Sequence, residues 1–240
     1  FIDDNVIDLE QYGNKVFYVS CVNSYIGLIR FMLNNNRLSS QAEYDYAILI
    51  ASANDRVEVV KLLLADKRIN FDANNNYAIG VASANGYAEV VKLLLEDGRF
   101  DPSSDDNYSI KCASENGRVE VVKLLLEDCR TDPSSDDNYA IKRASEYGRV
   151  EVVKLLLEDG RVDPSADDNF AIRLASENGH VEVVKLLLED GRADPSADDN
   201  FAIRVASENG HVEVVKLLLS DERVSDRCSF MKKIDKLISE

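Results

Sequence analysis

The chain has 240 residues, 45% of them apolar, and a formal charge of −16 from 44 acidic and 28 basic side chains. That field repels a phosphate backbone, which argues against general nucleic-acid binding, and it keeps a body with much surface soluble. No apolar run reaches membrane length, because Glu or Lys breaks the longest of them every few residues.

Taken in chain order, residues 1–14 read as a lead-in and residues 15–45 as a worn copy of the later units. Tyr25-Ile26-Gly27-Leu28-Ile29-Arg30-Phe31-Met32-Leu33 aligns with the apolar half of those units, but their Ala-Ser pair is Ser20-Cys21 here. The polar stretch Asn34-Asn35-Asn36-Arg37 suits an end unit. Five units of 31 residues fill 46–200, and a last one opens at Phe201. Their Ala-Ser pairs begin at Ala51, Ala82, Ala113, Ala144, Ala175 and Ala206, and Phe170–Leu188 differs from Phe201–Leu219 only at Leu174 against Val205. After it, Phe230, Met231, Ile234, Leu237 and Ile238 share one helical face with Lys232, Lys233, Asp235 and Lys236 opposite. That pattern is expected of a capping helix that closes the array near Glu240. Self-similarity at such a period means stacked units, since one unit cannot bury its own apolar face. A single elongated body is expected, with a long surface and no obvious pocket, which favours binding over catalysis.

Within the unit that starts at Phe170, Asn169 stands where an N-cap is wanted, as do Asp45, Asn76, Asn107, Asn138 and Asn200 in its siblings. A short helix is predicted over Phe170 to Asn178, with Ile172, Ala175 and Ser176 on its packed side and Asn178-Gly179 as its stop. A second helix is predicted from about His180 to Asp190. Val181, Val183, Val184, Leu186, Leu187 and Leu188 cover most of its circumference and leave a polar stripe of Glu182, Lys185 and Glu189, so it must be buried on more than one side. Gly191 ends it. The segment from Arg192 to Asn200 is too short and polar for a further helix, and Pro195 holds Asp194 extended, so a projecting finger is expected.

Helix, Gly turn, apolar helix, Gly, finger: the run Gly179-His180-Val181-Glu182-Val183-Val184-Lys185-Leu186-Leu187-Leu188 and its copies, including Gly210-His211 and Gly148-Arg149, resembles the ankyrin-repeat family over about residues 15–231. The resemblance implies an all-α, ankyrin-type helical solenoid of about seven stacked helix-turn-helix repeats with short finger loops. Near-identical arrays of this period resemble those multiplied in large DNA viruses and in protists. The period falls two residues short of the family's roughly 33, which shortens each finger below a standard β-hairpin. The family's Thr-Pro-Leu-His opening is replaced by Phe170-Ala171-Ile172-Arg173 and by Tyr139-Ala140-Ile141-Lys142, so its Thr–His hydrogen bond cannot form. The aromatics Tyr46, Tyr77, Tyr108, Tyr139, Phe170 and Phe201 are expected to replace it by packing across repeats.

Candidates for chemistry are few. The two histidines, His180 and His211, share one repeat position, where siblings carry Arg118 and Arg149, and they read as turn residues rather than metal ligands. The pairs Asp105-Asp106, Asp136-Asp137, Asp167-Asp168 and Asp198-Asp199 recur in solvated fingers with nothing to separate one pKa from the other. They fit no calcium loop, and capping with solubility is their reading, or an acidic strip that steers a basic partner. Cys21, Cys112, Cys129 and Cys228 follow no metal or disulfide spacing and read as small, semi-buried substitutions in a reducing compartment, hence an intracellular, cytoplasmic chain. No nucleophile, phosphate loop or cofactor motif appears, so an enzyme is not expected and no cofactor or metal is.

A specific site is sought where repeats differ. Ile50, Val81, Cys112, Arg143, Leu174 and Val205 occupy one first-helix position; Asn54, Asn85, Asn116, Tyr147, Asn178 and Asn209 occupy another four residues on. Arg143 and Tyr147 are the exceptions, both in one central repeat and on one helix face, and both are residue types enriched at binding hot spots. By resemblance, ankyrin proteins bind through fingers and first helices, which adds Glu115, Asn116, Lys142, Glu146, Glu177 and Asn178. Lys111, Lys142, Arg173 and Arg204 form a ladder that alternatively pairs with finger aspartates. The expected function is a monomeric, non-catalytic scaffold binding another protein along its concave face, with no nucleic acid or membrane partner. The alternatives are the recognition arm of a larger adaptor, such as a ubiquitin-ligase adaptor, and a structural part of a particle or assembly.

Overall fold

A computed structural model describes residues 9–35, 41–66 and 76–224, with main chain alone at 9–12 and 41. The expected C-terminal capping helix, Cys228, Asn36 and Arg37 lie outside the described residues. Among those residues the chain forms fourteen helices and no strand: α1 (Leu9–Asn23), α2 (Ile26–Asn34), α3 (Gln41–Ala53), α4 (Val57–Ala65), α5 (Asn76–Asn85), α6 (Ala88–Asp97), α7 (Ser104–Glu115), α8 (Val119–Glu127), α9 (Ser135–Glu146), α10 (Val150–Asp159), α11 (Ala166–Glu177), α12 (Val181–Asp190), α13 (Ala197–Glu208) and α14 (Val212–Ser220). They make seven helix-turn-helix pairs, in two compact units divided between Ser104 and Asp105.

In the first unit α1, α3 and α5 pack side by side and α2, α4 and α6 form a second row. In the second unit α9, α11 and α13 make one row and α8, α10, α12 and α14 the other. The sequence pattern explains the layering. In α12 Val183, Val184 and Leu187 are fully buried and Glu182, Lys185 and Glu189 are exposed, while Ile172, Ala175 and Ser176 of α11 are all buried. Each buried Val or Leu contributes roughly 1.5–3 kcal/mol. Helices of this length are marginal alone, and the two-sided burial is what holds them. First helices close through the expected Gly turn: the His180 N–H donates to the Ala175 carbonyl at 2.9 Å, and Gly179 takes φ +73°.

The fingers differ from expectation. Asn169 does not cap its own helix. Asp167, Asp168 and Asn169 all sit in the left-handed region, at φ +55°, +52° and +63°, as do their counterparts at 105–107, 136–138 and 198–200. That conformation costs most residues roughly 1–2 kcal/mol each, and Asp and Asn tolerate it best. The turn aims the Asn side chain at the next repeat. Oδ1 of Asn76, Asn107, Asn138 and Asn169 accepts the main-chain N–H of Asp101, Asp132, Asp163 and Asp194, at 2.7, 2.7, 2.6 and 2.6 Å. Asp194 then accepts the N–H and hydroxyl of Ser196 on its carboxylate, which folds the finger around Pro195.

Two further ladders cross between repeats. The Arg161 guanidinium is gripped by both carboxylate oxygens of Asp159, at 2.7 and 2.8 Å, and donates to the Leu126 and Thr131 carbonyls of the preceding repeat. Arg192 and Arg223 repeat the pattern with Asp190 and Asp221. Leu126 lies in the last turn of α8, where orphan carbonyls and the helix dipole favour a cation. At the Gly turns, His180 and His211 bond through Nε2 to the Glu146 and Glu177 carbonyls one repeat earlier, at 2.8 and 2.9 Å. A carbonyl only accepts, so Nε2 carries the proton. The histidines are turn residues, as the sequence pattern predicts, but their bond reaches the neighbouring repeat. Of the cysteines, Cys21 is buried, with its thiol pKa pushed up to about 12 by burial; Cys112 is half-buried; Cys129, replacing a helix-ending Gly, is exposed rather than semi-buried.

The ladder at the Gly turns is open to a direct test. A Cβ on Gly179 would lie 2.6 Å from the His211 ring, whereas one on Gly210 meets nothing within 4 Å among the described residues. Both substitutions to Ala incur the left-handed cost of about 1 kcal/mol, and Gly179→Ala is expected to lose about a further 1 kcal/mol in urea unfolding as the His211 bond is displaced. Equal losses would contradict the ladder. Ser52, Ser83, Ser114, Ser145 and Ser176 each bury a hydroxyl without a partner among the described residues, so Ser145→Ala is expected to raise stability by about 1 kcal/mol, read as a higher melting temperature. Hydrogen bonds from Arg130, Arg161 and Arg192 hold Asp128, Asp159 and Asp190 below the usual carboxylate pKa. Their stabilisation is complete above the unfolded pKa of about 4 and is lost as pH falls through the lower folded values. Acid titration of the melting temperature should therefore drop less steeply in Asp159→Asn than in the parent chain.

Candidate functional site

The eight residues singled out by sequence all lie on or just beyond the C-terminal halves of α7, α9 and α11, in the second unit. The structure brings three of them together. The Arg143 Nε donates to the Tyr139 hydroxyl at 2.9 Å, one Nη donates to the Glu146 carboxylate, and the guanidinium lies 5.1 Å from the Tyr139 ring centre and 5.8 Å from that of Tyr147. These two bonds, the hydroxyl first and the carboxylate second, hold the Arg143 pKa above its ordinary range. The group is a fixed cation inside an aromatic bracket, a geometry that favours stacking and directional bonding. The Tyr147 ring is 41% exposed.

Sequence reading missed two members of this cluster, Tyr139 and Arg149. The repeat pattern places Tyr139 in packing across repeats, but its hydroxyl does its work within α9. The Arg149 guanidinium lies 5.8 Å from the Tyr147 ring on the following turn, and its Nε donates to the Glu115 carbonyl at 2.9 Å. The signal was present as the alternation of Arg118 and Arg149 with His180 and His211 at one turn position, but the neighbourhood of Tyr147 is visible only in three dimensions.

The other five serve differently. Lys142 points along the stack, with Nζ 3.3 Å from Asp167 and 5.8 Å from the Phe170 ring centre. Lys111 repeats this with Asp136 and Tyr139, and Arg173 with Asp198 and Phe201. The aromatics do connect repeats, as expected, and they do so by lying under a cation of the preceding one. In the first unit Leu49 and Gly80 replace that cation; Tyr46 meets Tyr18 edge-on at 4.7 Å instead. The Asn116 and Asn178 amides bond their own helices, to the Cys112 and Leu174 carbonyls. Glu115 and Glu177 offer main-chain carbonyls to Arg149 and His211, and the Glu177 side chain is exposed.

A groove of about 250 Å³ adjoins the Tyr147 cluster, between the turns after α7 and α9, and is lined by Val119, Val150 and Val152 with Arg149 and Glu151 at its edge. No helix among the described residues is long and apolar enough to cross a membrane.

No curated protein matches the chain. The family model of ankyrin repeats matches three times, over residues 15–106, 82–168 and 144–228. These overlapping matches span most of the sequence and coincide with the helix pairs from α1 to α14. Ankyrin repeats are protein–protein interaction modules, generally non-enzymatic, and the chain belongs to the ankyrin-repeat family.

Proposed function

We propose that this chain is a monomeric, non-catalytic scaffold that holds a partner protein on the surface formed by its first helices and fingers, the concave face of such an array. The domain plan is part of the proposal: a lead-in at 1–14, a capping repeat at 15–45, five repeats over 46–200, and a last repeat with its cap over 201–240. The supporting observation is the cluster of Arg143, Tyr139, Glu146 and Tyr147, whose side chains are fixed before any partner arrives. Side chains already ordered lose little entropy on binding, which is how a rigid surface converts modest contacts into affinity. The fingers add a field. Asp137, Asp168 and Asp199 are exposed and carry no ion pair among the described residues, so they steer a basic partner surface.

Affinity capture from source cells should recover one specific protein with the intact chain and lose it with the Arg143→Glu, Tyr147→Ala variant at unchanged melting temperature. Its association rate should fall as salt is raised. Retention of every captured protein by the double variant would remove these residues from the binding site.

A further inference from the structure

Arg149 carries more binding capacity than stacking uses. At its turn position the required contact is one bond to a main-chain carbonyl of the preceding repeat, which His180 and His211 make equally well. Arg149 makes it through Nε alone. Both Nη groups lack a partner among the described residues, and no carboxylate of those residues lies within ion-pair distance of them. Six arginines of the same unit pair with a carboxylate: Arg130 with Asp128, Arg143 with Glu146, Arg161 with Asp159, Arg173 with Asp198, Arg192 with Asp190 and Arg223 with Asp221. Arg149, like Arg204, meets no carboxylate among the described residues, and in a chain of net charge −16 such a guanidinium is a local site open to an anion.

That free fork sits at the edge of the valine-lined groove. Its stem lies over Gly117, where a Cβ would come within 2.9 Å of the Arg149 Cδ. On its other side is the half-exposed Tyr147 ring. The groove's volume of about 250 Å³ is below the roughly 300 Å³ at which small-molecule pockets begin, so it suits one or two side chains of a peptide. A planar guanidinium with both Nη groups unsatisfied matches a carboxylate held at two points.

Resting on the scaffold reading, we propose that this groove docks an extended segment of the partner, taking a small apolar side chain among Val119, Val150 and Val152 and a neighbouring carboxylate on Arg149. Glu151 bounds the same groove and sets the register, because a carboxylate is accepted on the Arg149 side and repelled on the other. The net charge of −16 favours a segment whose remaining charge is basic or absent.

The test uses a positional-scanning library of octapeptides with Val fixed at one position and Asp, Glu, Gln or Lys scanned at the others. The intact chain should select Asp or Glu at one position adjacent to Val. The best peptide should bind about tenfold or more tightly than its Gln counterpart, as a charge-assisted pair provides. Arg149→His keeps the carbonyl bond on the precedent of His180 and His211, so it should melt as the parent does and lose the selection. Glu151→Gln should tighten the same peptide several-fold. An absent carboxylate preference, a preference for Lys, or a preference that survives Arg149→His overturns the groove assignment. Loss of the captured protein by Arg143→Glu, Tyr147→Ala but not by Arg149→His would leave the scaffold reading standing and overturn the groove alone. Loss of carboxylate selection in Arg149→His supports the groove even where the double variant still captures its protein.

Discussion

Main-chain groups at helix ends govern this molecule. Every helix leaves four N–H and four C=O groups without intrahelical partners, and helices of nine to fifteen residues stacked in pairs place such ends everywhere. The chain satisfies some of these, and main-chain groups of the fingers between helices, from a neighbouring repeat. Asn138 binds the Asp163 N–H, Arg161 the Leu126 and Thr131 carbonyls, and His180 the Glu146 carbonyl. Each bond contributes only about 1 kcal/mol net, yet a buried group left without it would cost about 1–3 kcal/mol. Polar pairing thereby fixes the register that apolar burial alone leaves loose: Val and Leu rows could slide, but an Asn amide meets one N–H only.

The finger shows what this constraint costs. Three successive residues in the left-handed region would be prohibitive for most side chains, and the chain places Asp-Asp-Asn there in four copies. The strain is accepted because it turns the Asn inward to its neighbour and leaves an aspartate facing the first-helix cation. Lys142 meets Asp167 and covers Phe170 together. One cation thus ties a finger and an aromatic of the next repeat to its own, which accounts for the basic residue three positions after each aromatic in the second unit.

Much of this architecture was legible in sequence. The 3.6-residue pattern gave both helices of each pair, and Gly179 and Gly191 marked their ends. Asn169 misled because a capping residue and a cross-repeat acceptor both call for Asn, and only the sign of φ separates them. The Asp190–Arg192 grip escaped because residues two apart do not face each other on a helix; they meet here only because the chain turns at Gly191 between them. In the site, Arg143 and Tyr147 stood out as departures from the repeat. Arg149 did not, since Arg118 fills the same position and the meaning of its free Nη groups depends on a tyrosine and a groove that lie beside it in space.

Near-identity among the repeats also dictates where recognition can be built. Ala175 and Ser176 are wholly buried between helices, and Gly179 has the His211 ring against it, so none of these positions admits a new side chain. The position of Tyr147 is different. Its siblings Asn54, Asn85, Asn116 and Asn178 commit their amides to a carbonyl four residues back in their own helix, a local bond that binds no neighbour, and only Asn209 reaches the preceding repeat, at the Glu177 carbonyl. Replacing it forfeits about 1 kcal/mol at most and leaves every inter-repeat ladder intact. Arg143 occupies a place where Val, Leu and Cys are equally accepted. A tyrosine and an arginine could therefore be installed together, bracketed by Tyr139 and Arg149, without loosening the stack that presents them.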